Sequence, residues 1–302
     1  MYRKILVGFK NTEQGRDALE LGREFAQASG ATMLVASVLA PASNGHLELA
    51  LGAERLAGYV SAHLFEPDIE IEGRCVKASS PATGLARLAQ AEEADLIVLG
   101  STHRGALGRV VPGATAERLL AHSPCGVAVA PGGFGGEGRA ESGWRPLSEA
   151  TEDFGVRVIG VGYDGSPEAE NALKTATELA LHNRAALRVF AVAAPPAHSA
   201  SEHAGIQAAA AHTGLELREM LDHAVSELPA EVRAEAIFLR GSPAAELIGA
   251  AEKGVDLLVL GSQGGGPLRR TLLGGVSSRV LQGASCPVFI SPAVSTRHAV
   301  PA

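Results

Sequence analysis

The chain predicts two α/β units in tandem, each a doubly wound parallel sheet with helices on both faces, and three observations carry that prediction. Short apolar runs such as Val255 to Leu260 alternate with segments of helical period, and strands that are apolar throughout belong to parallel sheets covered on both sides. The chain also repeats itself. Asp95-Leu-Ile-Val-Leu-Gly100-Ser answers Asp256-Leu-Leu-Val-Leu-Gly261-Ser 161 positions later, and Ile5-Leu-Val-Gly-Phe9 answers Ile159-Gly-Val-Gly-Tyr163 154 positions later, with Ala18-Leu19 matching Ala172-Leu173. A repeat of that size is a duplicated domain, since a solenoid has a far shorter period. Length agrees, because 302 residues suit two domains that each bury a core.

Taken in order, Met1-Tyr-Arg-Lys-Ile-Leu-Val-Gly enters a strand at once, and the first half then follows the plan read more clearly in the second. There Val156 to Gly162 is a buried strand and Ser166 to His182 a helix. Ser166-Pro167-Glu168 is a helix start, with a hydroxyl as N-cap, proline at the first helical position and an acid in the first turn. Ala185 to Val192 is a strand, about Ser201 to Glu227 a long helix, and Val232 to Leu239 a strand. Pro243 to Glu252 is a helix capped by Ser242, as Ser80 caps the one starting at Pro81. After the strand ending at Leu260 come a glycine-rich loop, a helix from about Val276 to Gln282, and a final strand from Pro287 to Ser291. The boundaries expected are a first domain over 1–131, a linker over 132–153 dense in glycine, a second domain over 154–294 and a tail over 295–302. Trp144 in that linker pins it to a domain surface, because an indole is costly to leave in water.

Composition excludes several function classes. Hydrophobic residues at 46% with 4% aromatics describe a compact, Ala/Val/Leu-rich globular protein. A net charge of −7 argues against nucleic acid and anionic membrane surfaces as partners. No apolar segment approaches the ~20 residues a bilayer crossing needs, so a cytoplasmic protein is expected. Cys75, Cys125 and Cys286 stand at no metal-ligand spacing and read as reduced thiols, with Cys125 and Cys286 as small core residues at matching places. His198, His203, His212 and His223 include no pair spaced to set two ligands on one helix face, and no metal site is expected. Neither a nucleophile elbow nor a Walker-type Gly-Lys-Ser is present, and no catalytic residue is assigned.

The loop Gly261-Ser-Gln-Gly264-Gly-Gly-Pro-Leu-Arg-Arg-Thr-Leu-Leu-Gly274-Gly275 carries the most chemistry. It lies between a strand and a helix. Glycines there let successive N–H groups point into one concavity, and the helix start adds partial positive charge where a phosphate would sit. In doubly wound sheets ligands bind beyond the carboxyl ends of the strands where the strand order reverses, which is where Asp164 and this loop fall. Taken alone, Asp164 reads equally well as a turn residue capping backbone amides beside Gly165.

With Gly261, two residues, Gly264, nine residues and Gly274, the loop resembles the nucleotide-binding signature of the universal stress protein family, and Gly162-Tyr-Asp164-Gly-Ser166 is similar to that family's opening segment. The likeness covers both halves nearly end to end. It implies two tandem Rossmann-like domains of the adenine nucleotide alpha hydrolase-like type. By the same resemblance Asp164 faces adenosine or its metal, Val192 offers backbone groups to the adenine edge, and Gly261 and Gly264 let the chain pass close to ribose and phosphates. Gly274, Gly275 and Val276 supply N–H donors. The family places Ser or Thr where this chain has Gly275, which removes a hydroxyl, and Ser277 is the candidate substitute or simply a residue of a first helical turn. Arg269 and Arg270 are candidates to neutralise a triphosphate or plain surface charges.

The first half departs further from the signature. Lys10 stands in place of Asp164, His103 in place of Gly264 and Ala114 in place of the hydroxyl residue, while Gly100 and Gly113 remain. Weak or absent nucleotide binding is expected there. Two function classes follow. In one the protein is a stress-response regulator binding ATP, with or without Mg2+, mainly in the second half, with slow hydrolysis at most. In the other it is an interaction scaffold without nucleotide, acting through its pseudo-dimer surface. The resemblance further implies that the last strands of the halves, Val127 to Ala130 and Val288 to Ile290, meet within one chain; pairing of two chains and the identity of a protein partner stay open.

Overall fold

The computed structural model describes residues 2–39, 52, 54–56, 58–60, 62, 69–102, 108–135, 156–194, 203–262 and 274–292, with backbone alone over 203–213. The first half contains β1 (Lys4–Gly8), α1 (Glu13–Ser29), β2 (Thr32–Leu39), β3 (Ile71–Lys77), α2 (Pro81–Ala91), β4 (Leu96–Gly100), α3 (Ala114–His122) and β5 (Gly126–Ala130). The second contains β6 (Val158–Gly162), α4 (Pro167–Asn183), β7 (Ala186–Ala193), α5 (His203–Ser226), β8 (Arg233–Arg240), α6 (Pro243–Glu252), β9 (Leu257–Gly261), α7 (Gly275–Leu281) and β10 (Val288–Ser291). All ten strands join one sheet in the order β3-β2-β1-β4-β5-β10-β9-β6-β7-β8. Pairing is parallel within each half and antiparallel at the seam, where Val288 faces Val129, Phe289 faces Ala128 and Ile290 faces Val127. Strand order reverses beside β1 in the first half and beside β6 in the second, which sets two crevices on carboxyl edges of the sheet.

Alternation explains why these strands are apolar at every position. Ile5, Val7, Leu96, Val98, Leu257 and Val259 point into one apolar layer, and Leu6, Ile97, Leu99, Leu258 and Leu260 into the other. Full burial of each such side chain contributes roughly 1.5–3 kcal/mol. Both layers run across the seam. Phe289 reaches from the second half onto Tyr2 and Phe25 of the first, with ring centroids 6.3 and 6.5 Å away, and it lies over Gly126, where a Cβ would stand 2.5 Å from its ring. Cys286 is buried at the start of this region and Cys125 is half-buried; burial pushes the Cys125 thiol up to about 11 and the Cys286 thiol further, as suits packing residues.

Matching positions do matching work at the ends of elements. Asp95 accepts the amides of Arg3 and Lys4 at 2.7 and 3.1 Å, and Asp256 those of Arg157 and Val158 at 2.9 and 2.8 Å, so each fastens the start of its half's first strand. The strand expected from Val255 begins at Leu257. The expected N-caps hold at Ser166 and Ser80, whose hydroxyls accept from Ala169 and Thr83 at 3.2 Å. Ser242 makes no such bond, and the expectation fails there. Ser242 still occupies the N-cap position, with ψ 117° against 155° and 156° for the two serines whose hydroxyls do cap. α1 ends on Gly30 in the left-handed region at φ 63°, whereas α4 ends on Arg184 at φ 50°. Asp17, buried on α1, accepts the amides of Gly133 and Gly135 at 3.0 and 2.8 Å and so ties down the chain just beyond β5. Its counterpart on α4, Asn171, donates to Ser291 at 2.6 Å and to the Pro292 carbonyl at 3.3 Å. The remainder of the expected linker, including Trp144, lies outside the described residues, as does the tail. Among the described residues no helix is long and apolar enough to cross a membrane.

Candidate functional site

β6 delivers Tyr163 and Asp164 to the carboxyl edge of the second half. Tyr163 is buried, donates its hydroxyl to Glu170 at 2.8 Å, and is pushed up to about 12 by burial and then by that carboxylate. Asp164 is exposed, and its Oδ1 accepts both the amide of Ser166 at 3.1 Å and its hydroxyl at 2.6 Å. Gly165 makes the turn possible with φ 72°, a conformation a side chain resists. The Ser166 hydroxyl then caps α4, so the carboxylate, the turn and the helix start are a single hydrogen-bonded unit. The turn role of Asp164 is therefore real, and it holds the carboxylate at the rim of the crevice.

β7 runs past the end of β6. Phe190 accepts the Tyr163 amide at 2.8 Å and pairs with Gly162, so its polar backbone groups face β6. Val192, two residues on, turns its own N–H and C=O to that same side, beyond the last rung of the ladder. That leaves its backbone directed over the crevice.

Gly261 ends β9 and is buried. A Cβ there would lie 2.8 to 2.9 Å from the backbone and Cβ of Glu168 in the first turn of α4. At Gly100 the corresponding atom would lie 1.9 Å from the Gln14 carbonyl oxygen. Both glycines are thus required by helix-on-strand packing, and the survival of Gly100 in the first half says nothing of a ligand. Gly264, Arg269, Arg270 and His103 lie outside the described residues.

Beyond the loop, Gly274 donates to the Ser262 carbonyl at 2.7 Å and is the N-cap of α7. Gly275 is exposed, and a Cβ on it would meet no atom within 4 Å. Val276 is exposed as well. As in any helix, the amides of this first turn have no acceptor within the helix. Ser277 is buried and donates its hydroxyl to the Gly261 carbonyl at 2.8 Å, so that proton joins α7 to β9. Sequence reasoning passed over Ser262. It is 4% exposed and its hydroxyl has no hydrogen-bond partner among the described residues, whereas Ser101, its counterpart, donates to Ala130 at 2.6 Å and accepts from Val111 at 3.1 Å. Only its place beside Gly261 in the repeat could have flagged it. A buried hydroxyl left unmatched at the base of a glycine loop, with exposed helix amides and an open N1 position beside it, fits a phosphate-bearing ligand.

The first-half crevice differs in backbone as well as side chain. The Lys10 carbonyl sits where a Cβ of Gly15 would be, 1.8 Å away, and accepts the Thr12 amide at 2.7 Å. The chain after β1 therefore folds down onto the start of α1. The equivalent of Gly15 in the second half is Ala169, which carries the Cβ that the Lys10 carbonyl displaces in the first. Ala114 is exposed at the first position of α3, as Gly275 is in α7. Among the described residues no group of His, Cys, Asp and Glu is arranged to hold a metal ion.

The model of the universal stress protein family matches residues 1–131 and again residues 155–292. The chain is 37% identical over 141 residues to universal stress protein YxiE of Bacillus subtilis, a match covering 43% of this chain and 95% of that protein. A universal stress protein of Mycobacterium tuberculosis is 30% identical over 201 residues, covering 66% of this chain and 62% of its own length. One of Mycobacterium bovis is 25% identical over 309 residues, 95% of this chain and 99% of the relative. In fold, the chain is similar to a universal stress protein from Archaeoglobus fulgidus, with a TM-score of 0.65, 18% identity and 96% of each chain covered.

Proposed function

The chain belongs to the universal stress protein family, and from that premise we propose that it is an adenine-nucleotide-binding regulatory protein that takes ATP, with or without Mg2+, at its second-half crevice and hydrolyses it slowly at most. The observation that carries this reading is the open start of α7 beside the unpartnered Ser262 hydroxyl, on the same edge as Asp164 and the Val192 backbone. In this reading Val192 meets the adenine edge through its backbone, and Asp164 faces the ribose or a phosphate-bound metal. Gly264 lets the chain approach, and the amides of Gly274, Gly275 and Val276 receive the phosphates. Gly261 and Ser277 act one step back, seating α4 and α7 against β9. A bound nucleotide would order this edge and so change the surface offered to a partner. In this reading the first half, with the Lys10 carbonyl over Gly15, contributes structure.

Gly275 favours a second reading, a scaffold acting through its pseudo-dimer surface, because the hydroxyl that would hold a phosphate is missing. Calorimetric titration of nucleotide-stripped protein with Mg-ATP, ADP and AMP separates the two. Saturable binding near one site per chain, lost in Gly264→His, is expected. An absence of heat and of thermal stabilisation at millimolar nucleotide would leave the scaffold reading.

A further inference from the structure

The loop of the first half is fastened to its own strand end and from there reaches into the second half. Gly108 donates to the Gly132 carbonyl at 2.8 Å, Gly132 to Arg109 at 3.0 Å, and Thr102 to Val111 at 2.8 Å, while the Ser101 hydroxyl joins Val111 to Ala130. From this platform the Arg109 guanidinium donates to the Gly283 carbonyl at 2.8 Å and pairs with Glu252 at 2.5 Å. The Val110 amide donates to the Ala284 carbonyl at 2.8 Å, and its fully buried side chain lies in the same apolar layer as Val280, Leu281 and Ala284. Gly283 and Ala284 lie just past Gln282, the C-cap of α7, so a cation sits near the carbonyl end of that helix, where the dipole favours it. At its other end α7 is held by its own half, through Ser277 to Gly261 and through Gly274 to Ser262. Seven residues give a helix about 10 Å long, short enough to move as one body when either end is released.

We propose that Gly108–Val111 braces α7 from the first half, which makes Arg109 a positioning residue for the second-half site. The loop that has lost the family's ligand chemistry in its own half thereby sets the placement of the helix on which the other half depends. The effect on affinity rests on the nucleotide reading above; the brace itself does not. Because coupling is reciprocal, a ligand that orders α7 also protects the amides of 108–111.

Hydrogen exchange on the full chain without ligand tests the brace, comparing the wild type with Arg109→Ala, Arg109→Lys and Glu252→Gln. Arg109→Ala is expected to speed exchange severalfold across 274–284, including the Ser278 amide near the far end of the helix. Arg109→Lys should recover most of the protection, and Glu252→Gln should change little, since an exposed ion pair contributes little. A speed-up confined to 283–284, or none, overturns the brace. In titration with Mg-ATP, Arg109→Ala should weaken binding severalfold at unchanged stoichiometry, and unaltered affinity despite faster exchange overturns the positioning role. If the wild type takes no nucleotide, the nucleotide reading fails, the positioning role falls with it, and exchange alone decides the brace.

Discussion

At the carboxyl edge of one sheet the two halves place different chemistry on nearly the same backbone. After β6 the chain presents Asp164, held by Ser166 at the start of α4; after β1 it presents Lys10, whose carbonyl lies against Gly15. Beside β9 the buried Ser262 hydroxyl has no partner among the described residues, while beside β4 the Ser101 hydroxyl is engaged on both sides. What the halves share is packing: Gly100 and Gly261 admit a helix, and Asp95 and Asp256 fasten a strand. Duplication thus separates two kinds of motif residue. Gly100 with Gly261 and Asp95 with Asp256, kept in both halves, serve the fold, and Lys10 against Asp164 marks where the two edges diverge.

The largest effect expected is structural. Gly100→Ala puts a methyl 1.9 Å from a carbonyl oxygen that no side-chain rotation can move, so it should cost at least the ~1–3 kcal/mol of ordinary overpacking, read as a lowered denaturant midpoint. A tolerated alanine there would show that helix packing does not require Gly100. Next comes Asp164→Asn, which keeps an oxygen for Ser166 while removing the charge. Loss of a charged hydrogen bond is worth about 1.5–3 kcal/mol, so Mg-ATP affinity should fall by roughly tenfold or more with thermal stability nearly unchanged. Unchanged affinity would reduce Asp164 to its turn. Gly275→Ser works in the opposite sense: with open space around that position the hydroxyl fits without strain, and affinity should rise by about tenfold, equivalent to ~1.4 kcal/mol. Made at Ala114, the same change should leave the first half without nucleotide. The smallest effect concerns the helix ends, where Arg184→Gly copies Gly30 and should raise stability by up to about 1 kcal/mol in thermal unfolding.

Much of this was legible beforehand because it depends on local periodicity and on comparing the chain with itself. The tandem α/β plan, the helix starts at Ser80 and Ser166, and the meeting of the last strands all follow from patterns repeated at fixed spacing or from the family those patterns point to. Ser242 shows where that reasoning stops, since it stands at the N-cap position without making the side-chain bond that the residue type suggests. Gly261 shows it again: a glycine in a loop motif reads as room for a ligand, and only the approach of α4 shows that a helix already fills the room. Ser277 looked available for a phosphate until the strand end appeared 2.8 Å away.

By itself the sequence determined the duplication, the order of strands and helices, and the divergence of Lys10 from Asp164 at one place in the repeat. These are properties of residue type and spacing, which the chain carries before it folds. Only the tertiary structure decided that Gly261 admits α4, that the Ser277 proton is committed, that Ser262 has no partner among the described residues, and that Arg109 crosses to Gly283. Each depends on contacts between groups far apart in the chain, across distances set by how helices seat on the sheet and how the halves join at β5 and β10, and no local pattern of residues encodes those distances.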